Sequence, residues 1–116
     1  MNRLFALVTA MIVGVTATAS TAQDTPVVVE LFTSQGCSSC PAADEMLARL
    51  GERDNIIALA LHVDYWDYIG WKDKFAHAAF TKRQKGYARS FGNRSIYTPQ
   101  MVINGAADVV GNRPMD

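Results

Sequence analysis

The stretch VVVELFTSQGCSSCPAADEMLARLG, residues 27–51, decides how the rest of the chain is read. Val27–Phe32 is a nearly continuous β-branched and apolar run bounded by Pro26 and a Thr-Ser-Gln-Gly segment, the pattern of a strand buried on both faces. From Pro41 to Leu50, the residues Ala43, Met46, Leu47 and Leu50 recur at helical spacing, and Gly51 is a stop signal. Between the two elements sit the only cysteines of the chain, as Cys37-Ser38-Ser39-Cys40. With Cys40 in the first helical turn, Cys37 lies at or just before the N-cap, where unpaired backbone N–H groups and the helix dipole favour a thiolate. In such motifs the thiol pKa falls from about 8.5 to roughly 3.5–7.5. Cys37 is therefore the expected nucleophile, and Cys40, covered by the helix, the resolving thiol. Pro41 suits the first turn, where its missing N–H is not needed. Zinc and copper sites use the same spacing, so the motif takes its redox meaning from the strand before it and the helix after it.

Upstream, residues 1–22 follow the pattern of a secretory signal. Arg3 supplies the positive start, Leu4–Val15 a short apolar segment, and Ala-Thr-Ala-Ser-Thr-Ala a small-residue zone with cleavage expected after Ala22, or failing that after Ala19. About a dozen apolar residues is too short to span a bilayer well, so no stable membrane anchor is expected once the signal is removed. Residues 23–116 then form one small domain. Without Arg3, 10 basic residues stand against 11 acidic ones, a balance that suggests neither a nucleic-acid nor a membrane-surface partner. Export, periplasmic or secreted, puts the two thiols in an oxidising compartment. A bridge between cysteines three apart closes too short a loop to be a useful staple, which favours a redox role.

Downstream, Ile56–Val63 reads as a second buried strand, making a right-handed βαβ unit with parallel strands. Lys72–Phe91 is the longest helical candidate, with Ala76, Phe80, Tyr87 and Phe91 on one stripe. Ile96-Tyr97-Thr98-Pro99 leads into Gln100–Ile103 and, after the hairpin signal Asn104-Gly105, into Ala106–Val110. The fold class is α/β, in the order β-α-β-α-β-β. This order, with CxxC at the first strand-to-helix junction and Thr-Pro before the third strand, resembles the thioredoxin fold. That resemblance implies a cis Pro99 facing the cysteines, with Thr98 beside it. The segments VVELFTSQGCSSCPAAD (28–44), ALHVDYWDYIGWKDKFA (60–76), TKRQKGYA (81–88) and YTPQMVINGAADVVG (97–111) are similar to those of the exported bacterial family called domain of unknown function 1223. Members of that family continue past the point reached at Asp116, so the closing helix of the fold is expected to be missing here. Its absence would leave one sheet face and the hairpin edge open.

Several residues have two readings. Glu30, a carboxylate inside a buried strand, either accepts the Cys40 proton during exchange or pairs with a Lys or Arg. His62 and Asp64 fall on one strand face, as a hydrogen-bonded structural pair, a proton relay or a weak metal site. Asp67 and Asp73 read as loop and N-cap residues. Tyr65, Trp66, Tyr68 and Trp71 cluster at the C-terminal end of a parallel strand, as a substrate groove or as a loop packed on the core. Lys82, Arg83, Lys85, Arg89 and Arg94 read as a solvated basic face or an anion site. The expected activity is dithiol–disulfide exchange on an exported protein or small thiol, recharged by a separate redox partner and needing no cofactor. A copper(I) carrier is the competing reading, since two thiolates suit that ion, and a non-catalytic binding module is the third. A zinc site lacks ligands, because neither His62 nor His77 is spaced to join the cysteines.

Overall fold

The computed structural model describes residues 13–17 and 25–111. The elements run β1 (Val27–Thr33), α1 (Cys40–Gly51), β2 (Ile56–His62), a single 3₁₀ turn (Asp67–Ile69), α2 (Ala78–Phe91), β3 (Gln100–Ile103) and β4 (Ala107–Val110). The sheet order is β2-β1-β3-β4, with β1 and β2 parallel and the other pairs antiparallel. This arrangement is consistent with a thioredoxin-like fold without its closing helix, and among the described residues no helix follows β4. The expected signal segment, residues 1–22, lies outside the described residues except for 13–17, and so does the chain beyond Gly111. No helix among the described residues is long and apolar enough to cross a membrane.

Alternation along β1 builds two cores. Val29 and Leu31 point to one face, where they pack with Ala43 and Leu47 of α1 and Met101 of β3. Phe32 points to the other, packed with Val63 and Val102 and flanked by Tyr65, Trp66, Tyr87 and Phe91. Each large apolar side chain buried this way contributes about 1.5–3 kcal/mol. Val109 and Val110 of the hairpin, opposite Met101 and Gln100, are half-buried, and the open apolar positions of the sheet are instead Ile57 and Leu59 on the edge strand β2.

Three element boundaries differ from the sequence reading. The second helix begins at Ala78, because Asp73 is held in a buried turn and His77 is extended, its ring Nδ1 accepting the Ala79 N–H as the cap. Gly51 is the last residue of α1 and does not adopt a left-handed stop; the cap is Glu52. Its missing side chain answers a close approach, since a Cβ there would lie 3.3 Å from that of Ala58 on β2. The β3–β4 hairpin has three loop residues, because Asn104 is also tied to β1: its N–H donates to Val28 O at 2.8 Å and its Oδ1 accepts the Val28 N–H at 2.9 Å. Asn104 and Gly105 both have positive φ, as the turn signal implies.

Candidate disulfide site

Past Thr33 the chain turns sharply: the Cys37 N–H donates to Ser34 O at 3.2 Å and the Gly36 N–H to Ser34 Oγ at 3.0 Å. A second tight turn, Cys40 N–H to Cys37 O at 3.2 Å, starts α1. Cys37 and Cys40 are joined as a disulfide with Cα atoms 5.4 Å apart. Cys40 is completely buried, whereas Cys37 keeps 4% of its surface. Ser39 is the N-cap but makes no side-chain cap bond, and the first turn of α1 holds no acidic residue to offset the positive end of the helix next to the bridge. Among the described residues no group of three or more His, Cys, Asp or Glu side chains is placed to hold a metal ion.

The Thr98–Pro99 peptide is cis. Pairing of Gln100 with Phe32 places Pro99 at the C-terminal end of β1, the end from which the cysteine loop leaves. Trp66 joins this segment to the β2–α2 loop through its indole N–H, which donates to Thr98 Oγ1 at 2.8 Å. The same loop crosses directly over the residue before Cys37, since a Cβ at Gly36 would lie 3.0 Å from Ile69 Cδ1 and 3.1 Å from Trp66 Cβ. The four aromatics therefore divide. Tyr65 and Trp66 pack on the core, and burial pushes the Tyr65 hydroxyl up against the opposing pull of its bonds to Gln84 and Thr98. Tyr68 and Trp71 are 80% and 63% exposed, and Trp71 Nε1 donates to Gln35 Oε1 at 2.8 Å. Exposed Ile69 and Phe75 extend the apolar surface of this loop; neither was singled out from sequence, since an isolated apolar loop residue carries no signal.

Glu30 is buried but does not lie beneath the cysteines. Strand alternation turns it to the α2 face, opposite α1, where Oε1 accepts from Arg83 Nε at 2.5 Å and Oε2 from the Tyr87 hydroxyl. The ion-paired reading holds, and the one that makes Glu30 a proton acceptor for Cys40 does not. Arg83 is accordingly set apart from the solvated basic face, its guanidinium held higher by its bond to Glu30, while burial and the Glu30 bond push the Tyr87 hydroxyl up. The groove of about 440 Å³ lined by Lys85, Arg89, Asn93, Arg94 and Ile96 lies by the C-terminal end of α2, whose N-terminal end is the one beside His62. It does not mark the disulfide.

His62 and Asp64 do not bond to each other. Asp64 Oδ1 accepts from Thr81 Oγ1 at 2.6 Å, and His62 Nδ1 lies 2.6 Å from Asp73 Oδ2. Asp73 is thus no helix cap. It is buried, and its Oδ2 also accepts the Gln35 N–H at 3.0 Å. Burial alone would raise its pKa, but the bonds from Gln35, His62 and Phe75 together hold the carboxyl below the ordinary aspartate range. Gln84, to which the sequence assigned no role, is completely buried; it accepts from the Tyr65 hydroxyl at 3.0 Å and donates to Tyr97 O at 2.7 Å and Gln100 Oε1 at 2.9 Å.

No curated protein matches the chain. It is similar to a protein of Agrobacterium tumefaciens known from an X-ray crystal structure, with 49% sequence identity and a TM-score of 0.73. The match covers 78% of this chain and 41% of that one, so the chain spans about two fifths of the relative's length. The family described as "Protein of unknown function (DUF1223)" matches residues 28–116. The chain belongs to that family.

Proposed function

We propose that the chain is an exported thiol–disulfide exchange protein, periplasmic or secreted, acting on another exported protein or a small thiol. The observation that carries this reading is the Cys37–Cys40 bridge at a helix N-terminus whose first turn holds no acidic residue, with Cys37 the less completely buried of the two cysteines. A substrate thiolate attacks Cys37 Sγ and breaks the bridge. A mixed disulfide forms, and the electron pair leaves on Cys40. A second substrate thiolate attacks the mixed disulfide and releases Cys37 as a thiolate favoured by the helix dipole. The substrate dithiol is oxidised to a disulfide, the protein is reduced by two electrons, and a separate redox partner of the same compartment restores the bridge. Thr98 and cis-Pro99, braced by Trp66, form the substrate-side wall, and Tyr68 and Trp71 supply apolar contact. The leader pattern at residues 1–22 supports export.

The test is turnover of a reduced protein substrate by the oxidised chain. Cys37→Ser is expected to abolish turnover, and Cys40→Ser, offered an oxidised substrate, to trap a mixed disulfide: the Cys37 thiolate attacks the substrate disulfide, one substrate sulfur leaves as a thiolate, and the adduct is seen by mass spectrometry. An unchanged rate in Cys37→Ser would refute the reading. A copper(I) titration of the reduced chain separates the carrier alternative, which requires one tightly held ion per dithiol.

A further inference from the structure

Asp73 is 2% exposed and belongs to no group assigned above. Its carboxylate gathers three segments. Oδ2 accepts the Gln35 N–H at 3.0 Å and lies 2.6 Å from His62 Nδ1, while Oδ1 accepts the Phe75 N–H at 2.9 Å. Its own N–H donates to Asp67 Oδ1 at 3.1 Å, so the residue is fixed from both sides. Gln35 stands two residues before Cys37, inside the turn that sets the Cys37 backbone against Ser34. His62 pairs in register with Thr33, the last residue of β1, and its ring packs edge-on to Phe75. A buried carboxylate thus anchors the loop that carries Cys37, the less completely buried cysteine.

We propose that Asp73, oriented by His62, is a positioning residue that holds the Gln35–Cys37 turn in the arrangement of the bridged form and so favours disulfide over dithiol. Removing the charge weakens the bridged form. The turn loses a charged anchor present in the bridged form, and the Gln35 N–H loses a charge-assisted bond. The proposal deepens the exchange reading and depends on it only for its biological meaning, because the bridge can be titrated without any substrate.

The experiment equilibrates the full chain with glutathione, in which the protein disulfide and two glutathione thiols give the protein dithiol and one glutathione disulfide. Asp73→Asn is expected to move this equilibrium about tenfold toward the dithiol. His62→Leu, which leaves Asp73 without its partner, should move it about threefold the same way, and His62→Gln, which retains an N–H donor, should stay within about twofold of the wild type. As a control, Asp108→Asn removes a carboxylate on the opposite sheet face that accepts bonds from Asn93, Tyr97 and Gln100. It should lower the melting temperature without moving the glutathione equilibrium. Asp73→Asn within about twofold of the wild type, or an equal shift in Asp108→Asn, overturns the proposal. Should Asp73→Asn fail to fold, the two His62 variants decide: equal equilibria in both overturn it. Turnover on substrates with no Asp73 effect would keep the exchange reading and discard this one. A tenfold shift in a chain without turnover would do the reverse.

Discussion

Gly36 is squeezed between the cysteine and the loop above it, with Ile69 Cδ1 3.0 Å, Trp66 Cβ 3.1 Å and Trp66 O 3.3 Å from where a Cβ would be. The backbone oxygen and Trp66 Cβ cannot move as a flexible side-chain tip would. Gly36→Ala is therefore expected to destabilise by about 1–3 kcal/mol in urea unfolding and to lift the 66–69 segment off the disulfide. Trp66→Phe keeps most of the ring but removes the donor to Thr98, a loss of about 0.5–1.5 kcal/mol that tryptophan-independent circular dichroism would record. At this scale the sequence was informative where chemistry is tied to residue type. Two cysteines three apart and a Thr-Pro before a strand announce themselves. Asp73 did not, because an aspartate in a polar loop looks the same whether its carboxylate meets water or three buried donors.

Helix α2 shows why amphipathic patterning misplaced a boundary. Its core-facing residues include Thr81 and Gln84, which satisfy Asp64, Tyr65, Tyr97 and Gln100 and so are buried without being apolar. A hydrophobic stripe drawn through Ala76 overlooked them and ran on into the Asp73 turn. Gln84→Leu would satisfy the pattern yet is expected to cost at least about 2 kcal/mol, since it strands Tyr97 O and the buried Gln100 Oε1. The strands were easier, because continuous β-branched runs leave little choice of element. Their parity was harder. Glu30 lies between Val29 and Leu31, which face α1, and one residue along a strand turns a side chain to the other face of the sheet. There it meets Arg83, so Arg83→Met is expected to destabilise by about 1–3 kcal/mol, moderated because Tyr87 still bonds the second oxygen.

Over the whole molecule, two carboxylate-centred networks make the stability of the fold depend on pH. The Asp73 carboxyl titrates lower in the folded chain than in the unfolded one, so its contribution is complete above the ordinary aspartate value and is lost as pH falls through its lowered pKa. The urea midpoint should drop on acidification below about pH 4, and less steeply in Asp73→Asn. At the alkaline end, burial and the bond to Asp108 push the Tyr97 hydroxyl up to about 12. Its contribution is complete below the ordinary tyrosine value and fades as pH rises toward the raised one, a loss that Tyr97→Phe should remove. The βαβ-ββ order was legible because each element carries its own period and its own stop, whereas the ties between elements run through side chains far apart in sequence. All of these ties converge on whether the bridge they hold is redox-active, which the reduction potential of the Cys37–Cys40 couple tests most directly. A value between about −270 and −120 mV is expected, the range of dithiol exchange proteins; a value below about −300 mV, that of an inert structural bridge, would contradict the account.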